Sequence, residues 1–439
     1  MAHDVQPNSL EKQWMPFTDN RGFKNDPRLV VKANGVYMED HRGGTVIDGS
    51  SGLFCSPAGH CHPKIIEAVH EQMKLNTYTA PFGLGHPASF LLADKVAMML
   101  PEDFNHVFFV NSGSESVDTA LKIAMAYHAA KGDDQRTRFV SRDRAYHGVN
   151  IGGVSLSGMV NNRKTFPATM PNVVHMRHTW DPENLNHRGQ PETGRELADD
   201  LQRFCDMFGS MTIAACFVEP VAGSTGTLVP PVGYLERLRE ICTANGILLV
   251  FDEVITGFGR LGANFASQKF DVKPDIITMA KALTNGSLPM GAVSVTDEIY
   301  ETVTDNANPG AIEFFHGYTY SGHPAACAAG IATMDIFAEE DLVKRADDMS
   351  EYFLDAAYSL ADHPLVRDVR GIGMMAGIEV HAKGNPGALG GGLQKDMFWN
   401  GLHVKFTGDS GILAPMFIAE RSHVDEIIGK FRDTLDAHV

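Results

Sequence analysis

The feature that most constrains this chain is an alternation of short apolar runs with longer amphipathic stretches. Alternating strands and helices predict an α/β fold with a mainly parallel sheet covered by helices. Helical periodicity occurs at 114–131 and at 234–246, and the second of these ends at a glycine. Runs rich in Val, Ile and Phe, typical of buried parallel strands, occur at 106–110, 138–141, 214–218, 247–251, 275–279 and 292–295.

Both ends of the chain have a different pattern. Residues 29–48 are typical of small antiparallel strands with Gly turns, and strand patterns return late in the chain, after two long helical patterns. We therefore expect a large α/β domain at 61–324 and a smaller α+β domain built from 1–60 and 325–439. Polar stretches with Pro and Gly at 180–195 and 384–392 are expected to be surface loops.

Composition excludes several classes of protein. Among 439 residues, 54 are Asp or Glu and 37 are Lys or Arg, which gives a net charge of −17. Such a chain does not neutralise nucleic-acid phosphates or adhere to an anionic membrane, so we expect neither partner. The sequence has six cysteines, no apolar run of membrane-spanning length and no start typical of a signal peptide. We expect a soluble cytoplasmic protein without a disulfide framework.

Polar residues follow four of the predicted strands where each strand ends. NSGSES follows the first strand, Glu219 the third, Asp252 and Glu253 the fourth, and Lys281 comes shortly after the fifth. Ligands of open α/β sheets bind outside the carboxyl ends of the strands. Contact with solvent explains any one of these residues equally well, but the four together predict a ligand site at one edge of the sheet.

Each group has a chemical interpretation and an ordinary structural one. The NSGSES turn could bind a phosphate at a helix N-terminus, or it could simply cap that helix. Lys281 follows an apolar stretch, where partial desolvation would make its amine a better nucleophile, although most lysines extend to the surface. Asp252 follows five apolar residues, so its carboxylate requires a cation. A pyridoxal phosphate site needs these three groups together with an aromatic on one ring face, for which Tyr146 is available.

Two other motifs point to different cofactors. The sequence from Gly257 to Gly262 reads GFGRLG, but five residues separate it from the preceding strand, so it is weak support for a dinucleotide site. The HCH triplet at 60–62 contains metal-ligating side chains, but neighbouring residues in one short turn rarely point at the same ion. We therefore predict neither a dinucleotide nor a metal ion as cofactor.

Longer strings occur in order along nearly the whole chain. They include WMPFT at 14–18, NHVFFVNSGSE at 105–115, YHGVNI at 146–151, LLVFDEVITGFGR at 248–260 and HGYTYSGHP at 316–324. In these strings the chain resembles the class III (ω-amino acid type) aminotransferases, which are pyridoxal phosphate enzymes of fold type I. It is most similar to the β-alanine (ω-amino acid):pyruvate aminotransferases.

The resemblance implies roles for individual residues at the cofactor. Lys281 corresponds to the lysine that binds the cofactor covalently and moves a proton, and Asp252 corresponds to the acid on the pyridine nitrogen. It also implies a homodimer, with a tetramer as the alternative, in which a threonine reaches the cofactor of the neighbouring subunit. The turn that binds the phosphate corresponds to Ser112, Gly113 and Ser114. The aromatic stacked on the ring corresponds to Tyr146, the aliphatic residue under the ring to Val254, and the glutamate near the ring hydroxyl to Glu219. The threonine that reaches the neighbouring subunit corresponds to Thr319.

The resemblance also implies a substrate pocket. Trp14, Phe54 and Phe82 lie where the family lines this pocket, although for each aromatic a role in the core explains the sequence equally well. Relatives have an arginine that receives the substrate carboxylate, where this chain has Lys405. Lysine pairs with a carboxylate as a point charge and not through a planar fork, so another anion such as a sulfonate is a second possibility.

The implied activity is a ping-pong transamination. An ω-amino acid such as β-alanine, or a primary amine, gives its amino group to pyruvate, which leaves as alanine. Taurine or hypotaurine, a polyamine and 4-aminobutyrate are alternative donors for the same chemistry. A racemase, an aminomutase or a decarboxylase on the same scaffold, and a binding protein without catalysis, also stay open.

Overall fold

A computed structural model describes residues 9–167 and 169–439. Residues 1–8, which begin the predicted small domain, lie outside the described residues. The strands of the described chain form three β-sheets. These strands are β1 (Val30–Asn34), β2 (Tyr37–Asp40), β3 (Thr45–Asp48), β4 (His106–Val110), β5 (Arg138–Arg142), β6 (Val173–Met176), β7 (Ile213–Val218), β8 (Leu248–Asp252), β9 (Ile276–Met279), β10 (Gly291–Val295), β11 (Val366–Ile372), β12 (Met375–Val380), β13 (Leu402–His403), β14 (Lys405–Thr407) and β15 (Ser410–Leu413).

Helices connect and cover the strands. The predicted helices at 114–131 and 234–246 are observed as α5 (Gly113–Ala130) and α9 (Tyr234–Asn245). Gly246 ends α9 with a left-handed φ of 63°. None of the described helices is long and apolar enough to cross a membrane. The helices are α1 (Asn20–Asn25), α2 (Ser51–Phe54), α3 (Pro63–Leu75), α4 (Pro87–Ala97), α5 (Gly113–Ala130), α6 (Ile151–Leu156), α7 (Val160–Arg163), α8 (Asp199–Phe208), α9 (Tyr234–Asn245), α10 (Ala266–Lys269), α11 (Asp297–Asp305), α12 (Pro324–Glu339), α13 (Leu342–Tyr358), α14 (Ala388–Trp399) and α15 (Arg421–Asp436).

The central sheet has seven strands in the order β4-β10-β9-β8-β7-β5-β6. Its strands from β9 to β6 are parallel, and β10 runs antiparallel to both of its neighbours. Alternate residues of β7 face opposite sides: Cys216 packs in a core with Leu201 and Leu238, whereas Phe217 packs in a core with Leu121. Both faces of the sheet are therefore buried, which explains the continuous apolar runs. The predicted α/β fold with a mainly parallel sheet is confirmed.

Two smaller sheets are built from strands near the two ends of the chain. One has the order β1-β2-β3-β13 and the other β11-β12-β15-β14. In the first sheet β13 pairs in parallel with β3, where His403 stands opposite Asp48. Strands from both ends of the chain thus build one unit, in agreement with the predicted fold class, whereas the boundaries at residues 60 and 324 stay a prediction.

The prediction of a loop at 384–392 is wrong for its second half, because α14 begins at Ala388 and includes three consecutive glycines. A Cβ at Gly390 would lie 2.1 Å from the carbonyl oxygen of Gly408, so only glycine allows this close approach. The backbone N–H groups of Gly387 and Gly390 also donate to the Asp409 carboxylate. A tertiary contact therefore overrides the weak helix propensity of glycine.

Candidate active site

A cavity of about 440 Å³ lies at the carboxyl edge of the central sheet. Its volume is within the range of small-molecule sites. The residues that follow four strands of this sheet line it together, which agrees with the predicted ligand site. They are Gly113 and Ser114 after β4, Glu219 after β7, Asp252 at the end of β8, and Lys281 after β9.

Lys281 faces this cavity from a constrained backbone. Its φ is 44°, in the left-handed region, which is uncommon for a residue other than glycine and occurs often at functional sites. Burial lowers the pKa of its amine, and no carboxylate of the described residues hydrogen-bonds to it. The Nζ atom lies 5.3 Å from the centre of the Phe54 ring. The site therefore holds an amine whose charged form is disfavoured by burial and which has no ion-pair partner within the described chain.

Asp252 is fixed by three neighbours. The hydroxyl of Thr278 donates to Oδ1 at 3.1 Å, and the N–H of Val254 donates to the same atom at 3.2 Å. Nδ1 of the buried His147 lies 2.7 Å from Oδ2. Sequence reasoning missed His147 and Thr278, although His147 directly follows Tyr146 in the string YHGVNI.

Glu219 supports the loop that carries Tyr146. Its Oε1 accepts a hydrogen bond from the Tyr146 N–H at 2.9 Å, and its carbonyl oxygen accepts one from Arg142 at 2.8 Å. The pKa of Glu219 is raised to about 7, chiefly by burial, with His147 opposing the rise and the charge of Asp252 adding to it. Within the described chain Arg142 reaches only the backbone of Glu219, and no arginine hydrogen-bonds to its carboxylate.

The turn before α5 brings the helix N-terminus to the cavity. Ser112 caps the helix by accepting the Glu115 N–H at 3.2 Å, and Ser114 accepts the Val149 N–H at 3.1 Å. A Cβ at Gly113 would lie 2.9 Å from a methyl group of Val254, so a residue without a side chain is required there. Because α5 has 18 residues, its dipole adds to the free N–H groups and favours an anion at this edge.

A second group of residues closes the cavity on another side. Phe54, which is 3% exposed, and Lys405 both line it, as do Met159 and Asn162 on and beside the short helix α7. Burial lowers the pKa of Lys405, and no carboxylate of the described residues pairs with it. Lys405 is therefore a cation in the cavity that has no anion within the described chain.

The other predicted site residues lie elsewhere in the protomer. Trp14 is 91% exposed and Phe82 is 64% exposed, and neither lines the cavity. Thr319 is also outside the lining, and its carbonyl oxygen accepts a hydrogen bond from the Tyr78 hydroxyl at 3.0 Å. The structure thus brings together Gly113, Ser114, Tyr146, Glu219, Asp252, Val254, Lys281, Phe54 and Lys405, with Ser112 just behind them, and leaves out Trp14, Phe82 and Thr319.

The HCH triplet and Glu253 have other contacts. His60 lies 2.8 Å from Asp48, and His62 lies 3.3 Å from Glu340. Glu253 accepts hydrogen bonds from the Ala266 and Ser267 N–H groups at the start of α10. These side chains therefore do not join the cavity.

The cavity fits pyridoxal phosphate. This cofactor requires a lysine for covalent attachment, an acid at its ring nitrogen and donors for its phosphate. The amine of Lys281, the carboxylate of Asp252 and the N-terminus of α5 supply these three groups around one cavity. The parallel sheet and this lining together define a pyridoxal phosphate enzyme of fold type I.

Comparison with known proteins gives the family. Residues 19–435 match the model of the family described as aminotransferase class III. The chain is 48% identical to an omega-aminotransferase from Caulobacter vibrioides over 98% of this chain and 99% of that protein. It is 44% identical to a beta-alanine–pyruvate aminotransferase from Pseudomonas aeruginosa over 98% of this chain and 96% of that protein.

A solved structure agrees with this result. The omega transaminase from Pseudomonas jessenii, in complex with PMP, has a TM-score of 0.92 and 31% sequence identity to this chain. The match covers 97% of this chain and 96% of that one. The chain therefore belongs to the class III aminotransferase family. The predicted family, fold type and pyridoxal phosphate cofactor are confirmed.

Proposed function

We propose that this enzyme transfers the amino group of an ω-amino acid such as β-alanine, or of a primary amine, to pyruvate. The observation that carries the choice of substrate is Lys405, a cation in the cavity without an ion-pair partner among the described residues. β-Alanine and pyruvate each have one carboxylate, which would compensate this charge. The names of the two relatives support the same reaction class.

Different side chains of this protein would bind the cofactor and move the proton. Bound pyridoxal phosphate supplies an electron sink for the carbon that loses its proton. Asp252 would hold the ring nitrogen, while Gly113, Ser114 and the Ser112 turn would hold the phosphate. Lys281 would carry the proton between the donor carbon and the cofactor, because its amine lines the same cavity and burial lowers its pKa toward the range in which an amine exchanges protons.

The residues around the cofactor ring would orient it. Tyr146 would stack on one ring face and Val254 would contact the other. Glu219 fixes the position of the Tyr146 backbone by accepting its N–H. His147 and Thr278 orient Asp252 from behind. Phe54 and Lys405 would receive the donor and then the keto acid, as a ping-pong reaction requires one pocket for both.

We also propose that the enzyme is a homodimer, with a tetramer as the alternative. Trp14, Phe82 and Thr319 are implied to belong to the site but lie outside the cavity of their own protomer. A neighbouring subunit would supply Thr319 to the phosphate and the aromatic rings to the pocket. The cytoplasmic location stays a prediction from the sequence.

Alternative donors differ in how well they fit Lys405. Hypotaurine, taurine and 4-aminobutyrate carry an anion at the end opposite the amine, whereas a polyamine would bring a second positive charge toward Lys405. The unpaired ammonium therefore favours an anionic donor, and a sulfinate or sulfonate is the second candidate.

A donor panel with pyruvate tests the proposal. Alanine should form in an amount equal to the donor consumed, with β-alanine among the best donors. Loss of donor without alanine would contradict transamination and support the racemase, aminomutase or decarboxylase alternatives. A holoenzyme that retains the cofactor but converts no donor would support a binding protein instead.

A further inference from the structure

The segment from Ser50 to Cys55 connects β3 to the cavity through a strained backbone. Ser51 has a φ of 47° and Phe54 a φ of 63°, which are uncommon values for residues other than glycine. Such conformations persist only where the surrounding contacts impose them, and they cluster at functional sites. Because Phe54 lines the cavity, the contacts that impose this backbone also place one wall of the substrate pocket.

Two of the contacts that hold this segment come from the carboxylate of Asp48, at the end of β3. Asp48 is only 1% exposed. Its Oδ1 accepts the Ser50 N–H at 3.0 Å, and its Oδ2 accepts the Gly52 N–H at 2.5 Å. Nε2 of His60 lies 2.8 Å from the same Oδ2. Hydrogen bonds to an ionised group are stronger than those between neutral groups, so one buried carboxylate holds the start of the strained segment.

The same segment is hydrogen-bonded to the strand that carries Lys405. The Ser50 hydroxyl accepts the Lys405 backbone N–H at 3.0 Å and donates to the Ile412 carbonyl at 2.8 Å. Nε2 of His403 lies 3.1 Å from the carbonyl oxygen of Gly52. Lys405 and Ile412 both line the cavity. The segment from Ser50 to Cys55 therefore fixes the position of the Phe54 ring relative to the strand that carries Lys405.

We propose that Asp48 is a positioning residue for substrate recognition. It fixes residues 50–54 so that Phe54 and Lys405 meet the two parts of one substrate, the carbon chain and the anionic end. Asp48 itself does not line the cavity, so it acts through residues 50–54, and we expect its main effect on substrate binding. This inference rests on the proposed function, because it assumes a substrate with a carboxylate.

The test compares Asp48→Asn with Asp40→Asn in the holoenzyme. Asp40 is a matched control, since it is also a buried aspartate at a strand end of the same small sheet and accepts the backbone N–H groups of Arg42 and Gly44. The probe is propionate, a three-carbon carboxylate that has no amine to transfer. Its Kd is measured by saturation-transfer NMR, beside cofactor content from absorbance and the KM and kcat for β-alanine.

Asp48→Asn should weaken propionate at least about tenfold and raise the KM for β-alanine similarly, with unchanged cofactor content and a smaller change in kcat. Asp40→Asn should stay within about twofold of the wild type. Equal propionate affinity in Asp48→Asn and the wild type, or equal losses in both variants, would overturn the positioning role alone. A wild type that binds no propionate would overturn carboxylate recognition and this inference together.

Ser50→Ala decides the question if Asp48→Asn yields no folded holoenzyme. This variant keeps the Asp48 carboxylate but removes the hydroxyl that joins the segment to Lys405 and Ile412. We expect weaker propionate binding with normal cofactor content. Wild-type propionate affinity in Ser50→Ala would then contradict the inference.

Discussion

The two sides of the cavity are built in different ways. On the cofactor side, Glu219, Asp252 and Lys281 lie at or just after the ends of neighbouring strands in one buried sheet. On the proposed substrate side, Phe54 and Lys405 come from opposite ends of the chain and are joined through Ser50. A sheet edge gives fixed positions for chemistry that all substrates share. Segments held by a few hydrogen bonds can change the preferred substrate without disturbing that chemistry.

This comparison predicts that changes on the cofactor side affect every donor. Asp252→Asn removes the negative charge at the position of the ring nitrogen, and we expect kcat/KM to fall by roughly 10²–10⁴-fold. The loss should be equal for β-alanine and for a neutral primary amine, in assays with saturating pyridoxal phosphate. Asp143→Asn is the control, since this exposed carboxylate also follows a strand of the central sheet and should leave activity unchanged. A loss confined to one donor would contradict the division between the two sides.

A second prediction concerns pH and the stability of the cofactor side. Because burial raises the pKa of Glu219 from 4.5 to about 7, the folded protein binds more protons than the unfolded chain between these pH values. The wild type should therefore lose stability relative to Glu219→Gln as the pH rises from 4.5 to 7. The full difference is on the order of 3 kcal/mol.

Urea unfolding of the cofactor-free proteins at several pH values measures this effect. The difference in unfolding free energy between Glu219→Gln and the wild type should grow up to pH 7 and then level off. Glu301→Gln, at an exposed position on α11, should follow the wild type at every pH. A difference that is constant from pH 4.5 to 7 would show that Glu219 does not carry the pH dependence.

The smallest predicted effect separates donors on the substrate side. Lys405→Ala should reduce kcat/KM for β-alanine roughly 10- to 100-fold, the contribution of a hydrogen bond to a charged group. A neutral amine should change by less than about threefold, and Lys405→Arg should retain most of the activity with β-alanine. The donor half-reaction is followed spectrally without pyruvate, because the keto acid also has a carboxylate. Equal losses for both donors would refute the role of Lys405.

The sequence predicted the cofactor side better than the substrate side. Asp252 and Lys281 follow short, continuous apolar runs, so their place at the sheet edge could be inferred from pattern alone. His147 could not be assigned to Asp252, because its contact joins residues 105 positions apart and depends on the turn after β5. The meeting of Phe54 and Lys405 followed only from the resemblance, since no local pattern connects them.

Two further limits on prediction have physical causes. The helix α14 was missed because a close contact between Gly390 and Gly408, and not local propensity, allows it. Trp14, Phe82 and Thr319 lie outside the cavity, so their implied roles require the proposed second subunit. Neither a backbone approach nor a neighbouring chain leaves a periodic signal in the sequence.

Covalent attachment of the cofactor at Lys281 is the central claim, and borohydride reduction tests it most directly. The holoenzyme is reduced, digested and analysed by mass spectrometry, with Lys281→Ala treated in parallel. We predict a pyridoxyl adduct on the peptide that contains Lys281 and no adduct in the variant. An adduct on Lys405 or any other lysine, or no adduct in the wild type, would contradict the account.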